Sequence, residues 1–298
     1  MQLNLHRLWI FLQVLDCGGF SAAAQKLYMS QPSVSGQVRQ LEQSLKATLV
    51  DRSGARIRPT AEGEVLAEHA RRIFLLADEA IAAIQQVQGL AAGRITVAGT
   101  STVGTYLLPP LIARFVREHP DIEHGLQVGN GEQVQRWLLD GEVGLAVLAG
   151  RPNAPQLVVE PMFSDRIVLI GRPDHPLAGR VVAPSELASE RFLLREHGSA
   201  TRLLQQTELE RWDLAGATTA DMWGPETLKQ AVSAALGVSL ISEHAVARDT
   251  ALGALAVIDV RPAPPARPVV VAHRRDRLLS PAERAFMAML RELADWPE

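Results

Sequence analysis

The sequence predicts a small helical domain with a β-hairpin, then one long helix, then two α/β lobes. Three observations predict it. Apolar residues in the first 45 positions recur at helical spacing in runs broken by Gly18-Gly19 and Tyr28-Met29. A heptad seam runs from Leu66 to Val87. From Arg94 onward short apolar runs alternate with amphipathic stretches, the pattern of a mostly parallel sheet.

Composition sets the bounds. The chain has 298 residues, 47% hydrophobic and 21% charged. That length suits two or more domains with cores of their own. One cysteine, Cys17, excludes an internal disulfide framework and a thiolate zinc site. No apolar run has the length of a membrane span, and the N-terminus lacks the pattern of a signal peptide, so the expected location is the cytoplasm. The net charge of −3 conceals an asymmetry. Residues 1–60 hold seven basic and three acidic groups, net +4, and the remainder carries −7. Such a division points to a polyanion partner for the first part.

Leu5, Leu8, Leu12 and Leu15 give a first helix one apolar face, and Gly18-Gly19 ends it. Ser21 is the expected N-cap of a short second helix carrying Ala22, Ala23 and Ala24, small enough for another helix to cross closely. Ser30 is the expected N-cap of a third helix, with Pro32 in its first turn. Val34, Val38, Leu41 and Leu45 form its apolar stripe. Ser33, Gly36, Gln37 and Gln40 lie opposite, flanked by Ser35 and Arg39. Serine and glutamine suit base edges and phosphates better than a merely solvated face. The pair reads as a helix-turn-helix, with a plain three-helix bundle as the alternative. Arg52, Arg56 and Arg58 on a Gly- and Pro-bearing turn read as a β-hairpin wing beside a groove, or else as a basic surface loop.

These residues carry a resemblance. Phe20-Ser21-Ala22-Ala23-Ala24, Leu27, Ser30-Gln31-Pro32-Ser33-Val34-Ser35, Leu41-Glu42, Leu49, Arg52 and Thr60-Ala61-Glu62-Gly63 resemble the N-terminal signature of LysR-type transcriptional regulators over residues 1–65. The resemblance implies an all-α winged helix-turn-helix with its third helix in the major groove. Gln31, Ser33, Ser35, Gln37 and Arg39 are then the DNA contacts of that helix, and Arg52, Arg56 and Arg58 those of the wing. Two positions depart from the pattern: Gly36, where members often have arginine, and Val50, where phenylalanine is usual.

From Thr60, a possible N-cap, Leu66, Ala70, Ile73, Ala77, Ala80, Ile84 and Val87 are spaced alternately by four and three. A helix over 61–88 is about 40 Å long and is expected to bury its seam against a second copy, with packing on the downstream domains as the alternative. The resemblance implies the same linker helix, a homodimer or homotetramer, an imperfectly palindromic double-stranded operator and, for an activator, RNA polymerase as a further partner. The expected domains are 1–60 winged helix, 61–89 linker helix and 94–298 effector domain.

Gly89 to Gly93 is the expected hinge. Strands are then expected at 95–98, 122–128, 145–148, 166–170, 192–195, 238–241 and 269–272, with helices at 106–118, 132–139, 201–211, 226–235 and 281–293. The pattern restarts near Met162, giving lobe I at 94–161 and 266–298 and lobe II at 162–265. Three polar segments lie at strand ends, where ligands of open α/β sheets bind. Thr100-Ser101-Thr102 offers hydroxyls and helical N–H groups to an anion, or caps the next helix, and the two are compatible. Gly129-Asn130-Gly131 is a second segment, with a plain turn as the alternative. Arg195 to Arg202, which includes His197, Ser199 and Thr201, is the third.

Tyr106-Leu107-Leu108-Pro109, Asp174-His175-Pro176-Leu177, Arg195-Glu196-His197-Gly198-Ser199 and Leu236-Gly237-Val238 resemble LysR-type effector domains, which are similar to the periplasmic-binding-protein fold. Gly129-Asn130 with the 195–202 segment resembles members tied to sulfur assimilation or carbon fixation, whose inducers are small anions or small metabolites. The resemblance places effector contacts at Thr100, Thr102, Asn130, Ser199 and Thr201. Gly144 stands where an aspartate is common.

The expected function is a sequence-specific DNA-binding regulator modulated by a small-molecule or small-anion effector. The alternatives are an enzyme or a solute-binding α/β domain with an appended DNA-binding module. No nucleotide-binding glycine motif, Walker loop or His-Glu-x-x-His is present, so no catalytic residue, metal or cofactor is assigned.

Overall fold

A computed structural model describes residues 3–52, 57–87 and 93–296. It divides into two compact units, Met1–Ile81 with Asp140–Glu142, and Ala82–Leu139 with Val143–Glu298. Among the described residues no helix is long and apolar enough to cross a membrane.

In the first unit α1 (Leu5–Asp16), α2 (Phe20–Lys26) and α3 (Gln31–Leu45) pack round Leu8, Phe11, Val34, Val38 and Leu41. Ser30 caps α3 as expected, accepting the Ser33 N–H at 3.3 Å. Ser21 does not cap α2. The cap is Gly19, because Phe20 is already helical and its ring is buried. β1 (Val50–Asp51) and β2 (Arg58–Pro59) pair antiparallel as the base of the hairpin, whose tip at 53–56 lies outside the described residues.

α4 (Ala61–Val87) starts at the expected cap: Thr60 Oγ1 accepts the Gly63 N–H at 3.0 Å. Its heptad seam divides. Leu66, Ala70 and Ile73 join the core of the helical unit, whereas Ala77, Ala80 and Ile84 are exposed. The expectation that the seam is buried against a second copy or the downstream domains is therefore corrected for its first half, which packs on the core of its own unit. Of the hinge expected at Gly89 to Gly93, residues 89–92 lie outside the described ones.

Among the described residues the second unit holds a five-stranded, a four-stranded and a two-stranded sheet. The first is built from β3 (Gly93–Thr100), β4 (Ile122–Gly129), β5 (Leu145–Ala149), β6 (Leu157–Asp165) and, after the excursion described next, the strand at Arg267–Arg274, in the order β4-β3-β5-(267–274)-β6. α5 (Ser101–Tyr106), α6 (Leu108–Glu118) and α7 (Gly131–Asp140) connect its early strands. The second lobe is built from β7 (Ile167–Gly171), β8 (Val181–Val182), β9 (Phe192–Arg195), β10 (Thr219–Met222), β11 (Ser239–Ser242) and β12 (Ala256–Val260), a four-stranded sheet in the order β11-β7-β12-β8 and a two-stranded one of β9 and β10, with α8 (Ala200–Arg211), α9 (Pro225–Ser233) and α10 (Glu243–Ala251) around them. β9 pairs with β10 and meets the residue before β11 through the Leu193 N–H and Val238 carbonyl at 2.8 Å. The chain then returns as β13 (Arg267–Arg274) and ends in α11 (Pro281–Arg291).

Three expectations are adjusted. The helix expected from Tyr106 to Glu118 starts two residues later, at Leu108, and Tyr106 instead closes the short helix α5, because Pro109 and Pro110 cannot donate to a preceding turn and so open a new helix. The first sheet is mixed rather than mostly parallel. β3 runs parallel to β4 and β5, but β13 is antiparallel to both its neighbours. The break expected at Met162 is a β-bulge, with Val269 opposite Phe163 and Val270 opposite Pro161, and β6 continues to Asp165. The chain passes to the second sheet at Arg166.

Gly144 has a partner the sequence conceals. A Cβ there would lie 1.7 Å from an Arg277 guanidinium nitrogen and 1.9 Å from Glu283 Oε1. Arg277 and Glu283 form a buried pair at 3.0 Å in the space where a side chain at 144 would stand.

Candidate functional site

Two sets of residues bear on function, one in each unit. In the first, α3 buries Val34, Val38 and Leu41 and presents Gln31, Ser33, Arg39 and Gln40 to solvent, with Ser35 and Gln37 half-buried. Arg58 is exposed on β2. Arg56 lies outside the described residues. Arg52 has a structural partner as well: its guanidinium is 3.1 Å from Glu42 Oε2 and sits 5.1 Å over the Phe20 ring. Glu42 also accepts the Leu49 N–H at 3.0 Å. Arg52 therefore fastens the hairpin to α2 and α3. Sequence reasoning passed over Tyr28, which is 99% exposed in the turn before α3 with a left-handed φ of 53°.

In the second unit seven of the eight residues singled out for an effector line one pocket. They are Thr100, Ser101, Thr102, Asn130, Arg195, Ser199 and Thr201, around a small open-mouthed pocket. Thr100, Ser101, Thr102 and Asn130 come from the first lobe, and Arg195, Ser199 and Thr201 from the second. His197 is the exception. It is exposed, and its contribution is a backbone carbonyl that accepts from Asn130 Nδ2 at 3.4 Å. Beside it the Glu132 N–H donates to the Gly198 carbonyl at 3.2 Å, so the lobes touch here. Gly198 is required: its φ is +80°, and a Cβ would lie 2.8 Å from Glu132 Oε2.

The hydroxyls are used unevenly. Thr100 stands at the expected N-cap of α5 but makes no side-chain cap bond; its Oγ1 accepts the Ala149 N–H at 2.9 Å. Ser101 Oγ donates to the Gly129 carbonyl at 3.1 Å. Ser199 makes no side-chain cap bond to α8.

Both pocket arginines carry a carboxylate of their own. Arg195 is buried and bidentate to Glu196, at 2.8 Å from Nε and 2.8 Å from a terminal nitrogen. Burial pushes Glu196 up, but Arg195 and the Gly224 N–H at 3.1 Å outweigh this and hold its carboxyl below the usual range. Arg202, the other arginine of that segment, turns to Asp221 at 2.6 Å and the Arg195 carbonyl at 2.7 Å.

The second pocket arginine, Arg267, escaped sequence reasoning. It opens β13, where it pairs in register with Asp165 on β6. Its Nε lies 2.8 Å from Asp165 Oδ2, and it donates to Thr201 Oγ1 at 2.7 Å and Thr102 Oγ1 at 3.4 Å. Burial lowers its pKa, with Asp165 opposing and Arg195 adding to the fall. Its partners stand 66, 102 and 165 residues away in the chain, so no local pattern announces it.

Comparison with known proteins bears on both units. Residues 5–64 match the family described as bacterial regulatory helix-turn-helix protein, lysR family. Residues 88–295 match the LysR substrate binding domain. The HTH-type transcriptional regulator CfxR of Cupriavidus necator is 35% identical over 97% of this chain and 92% of its own. A RuBisCO operon transcriptional regulator of Acidithiobacillus ferrooxidans is 33% identical over 96% of this chain and 93% of its own. The solved regulatory domain of Synechocystis CcmR in complex with 2-PG is 29% identical, with a TM-score of 0.61, over 66% of this chain and 95% of that one. Of the two metabolic themes the sequence suggested, the RuBisCO relative stands on the carbon-fixation side.

Proposed function

Because the chain belongs to the LysR family of DNA-binding transcriptional regulators, we propose that it reads an imperfectly palindromic operator under control of a small anion held between Thr100–Thr102 and Ser199–Thr201. One observation carries this reading: hydroxyls of both lobes converge with two buried arginines on a single pocket. A ligand bridging them has different contacts when the lobes shift, which is the condition for a ligand to bias a conformational equilibrium. The CcmR domain, solved with 2-PG, supports a small ligand in such a domain.

On this reading residues 1–60 are the winged helix, 61–89 the pairing helix and 94–298 the sensor. Gln31, Ser33, Ser35, Gln37 and Arg39 face the groove, and Arg56 and Arg58 the phosphates. Leu76, Ile81 and Ile84, each more than half exposed on α4, are the surface for a second copy in a dimer or tetramer. The protein acts in the cytoplasm, without catalysis of its own, and contacts RNA polymerase where it activates.

A mobility-shift titration tests the reading. Duplexes from DNA flanking the gene are titrated at two salt concentrations, with and without 2-PG, sulfate or phosphate. Salt-dependent binding to one duplex, altered by one of these anions, is the expected result. Absence of any specific shift at moderate salt, with or without anion, overturns it.

A further inference from the structure

We propose that Arg267 is a positioning residue of the pocket. Fixed by Asp165 where the chain crosses between the lobes, it holds Thr102 and Thr201 as paired hydroxyl donors that select a small oxyanion. The inference rests on the pocket being the effector site and adds what sets its chemistry.

The argument is one of proton direction. A threonine hydroxyl has a single proton. Thr102 and Thr201 each receive an N–H of Arg267 on the oxygen, at 3.4 and 2.7 Å. Among the described residues neither hydroxyl gives its proton to a protein acceptor. Both protons are therefore available to a ligand, and donation from a buried cation polarises each O–H into a stronger donor. Thr100, which accepts from the Ala149 N–H, adds a third. A ligand at this corner meets donors from two lobes, which suits oxygen atoms carrying negative charge. A cation meets the wrong ends of the hydroxyls, and a neutral polyol gains less from each bond.

The position of the pair gives the threonines a common reference. Asp165 ends β6 and Arg267 opens β13, the residues at which the chain leaves and re-enters the first sheet. Asp165 is fully buried and also accepts from Ser242 Oγ of the second lobe at 2.6 Å. Thr102 lies on the first lobe and Thr201 on the second, so one guanidinium registers both donors against the crossover.

Isothermal titration calorimetry on the full-length protein tests this, with inorganic sulfate, inorganic phosphate and 2-PG as probes and glycerol as the neutral comparison. Arg267→Lys keeps the charge but lacks the planar fork that reaches Asp165 and both threonines together. Arg267→Gln with Asp165→Asn removes both buried charges at once, so that neither is left alone, and circular dichroism checks its fold. The wild type is expected to bind an oxyanion in preference to glycerol. Both variants are expected to weaken that binding about tenfold or more, the scale of losing one charge-assisted hydrogen bond. Thr201→Val is expected to cost about tenfold in the wild type but less than about threefold beside the neutral pair, because the arginine acts through the threonine. Undiminished anion affinity in folded Arg267 variants overturns the inference and leaves the effector site standing. So does a full Thr201→Val penalty beside the neutral pair. Wild-type protein that binds none of the three anions overturns both. If the double variant does not fold, the Arg267→Lys result decides.

Discussion

The Tyr106 hydroxyl donates to Glu226 Oε1, joining the last residue of α5 in one lobe to the first turn of α9 in the other. Lys229 completes the contact. Its ammonium lies 5.3 Å over the Tyr106 ring, 3.1 Å from Glu226 and 2.8 Å from Asp249. Burial alone would lower the Lys229 pKa, but its bonds to Asp249 and Glu226 outweigh this and hold it above the lysine range. Burial and the Glu226 bond push the Tyr106 phenol up from 10.0 to about 12. A phenol with a raised folded pKa contributes stability that is complete below pH 10 and is lost as pH rises through about 12. Tyr106→Phe should cost about 1 kcal/mol at neutral pH and flatten the loss of stability above pH 10, read by urea unfolding across that range.

Arg52 and Arg58 should separate in a salt titration. Arg58 is exposed on β2, so Arg58→Ala should reduce the slope of log affinity against log salt by about one. Arg52 is bound to Glu42, so Arg52→Ala should leave that slope nearly intact and lower the melting temperature of the N-terminal unit instead. Fluorescence anisotropy on an operator duplex distinguishes the two.

Gly144→Ala should destabilise the chain by about 1–3 kcal/mol, because its methyl group enters the space of the buried Arg277–Glu283 pair. Glu283 also accepts the Ser280 N–H at the start of α11, at 2.8 Å. The loss should therefore appear in thermal unfolding of the α/β unit and leave operator affinity of the folded protein unchanged.

Ile84→Asp should convert the oligomer to monomer in sedimentation velocity without altering the melting of the N-terminal unit. The side chain is 59% exposed on α4 and takes no part in the helical core. A variant that keeps the wild-type sedimentation coefficient argues against this face as the pairing surface.

The helical unit was legible because its signals are local. Leu8 and Leu12 are buried on one face as their spacing implies, although Leu5 of the same stripe is half exposed, and Ser30 lies three residues before the N–H it caps. The pocket was legible wherever strand ends and helix starts follow one another in the chain, as at Thr100–Thr102. It was not legible where it depends on strands that meet from a distance. β6 went unassigned because Pro161 and the bulge at Met162 interrupt its alternation. With β6 missing, neither Asp165 nor its cross-strand partner Arg267 could be drawn to the site. The tie of Arg52 to Glu42 was not legible for a related reason: a basic residue on a hairpin looks free until Glu42, ten residues back on α3, is seen to hold it.

The carboxylates beside Arg195 and Arg267 have a bearing on noise. Chloride and other bulk anions gather wherever positive charge stands unbalanced. Two guanidiniums already neutralised by Glu196 and Asp165 offer such ions little long-range attraction, and burial shields the pairs from ionic-strength swings. Osmotic change should therefore be felt at the DNA end of the chain and hardly at the sensor, which leaves the sensor to distinguish molecules by shape and hydrogen bonding.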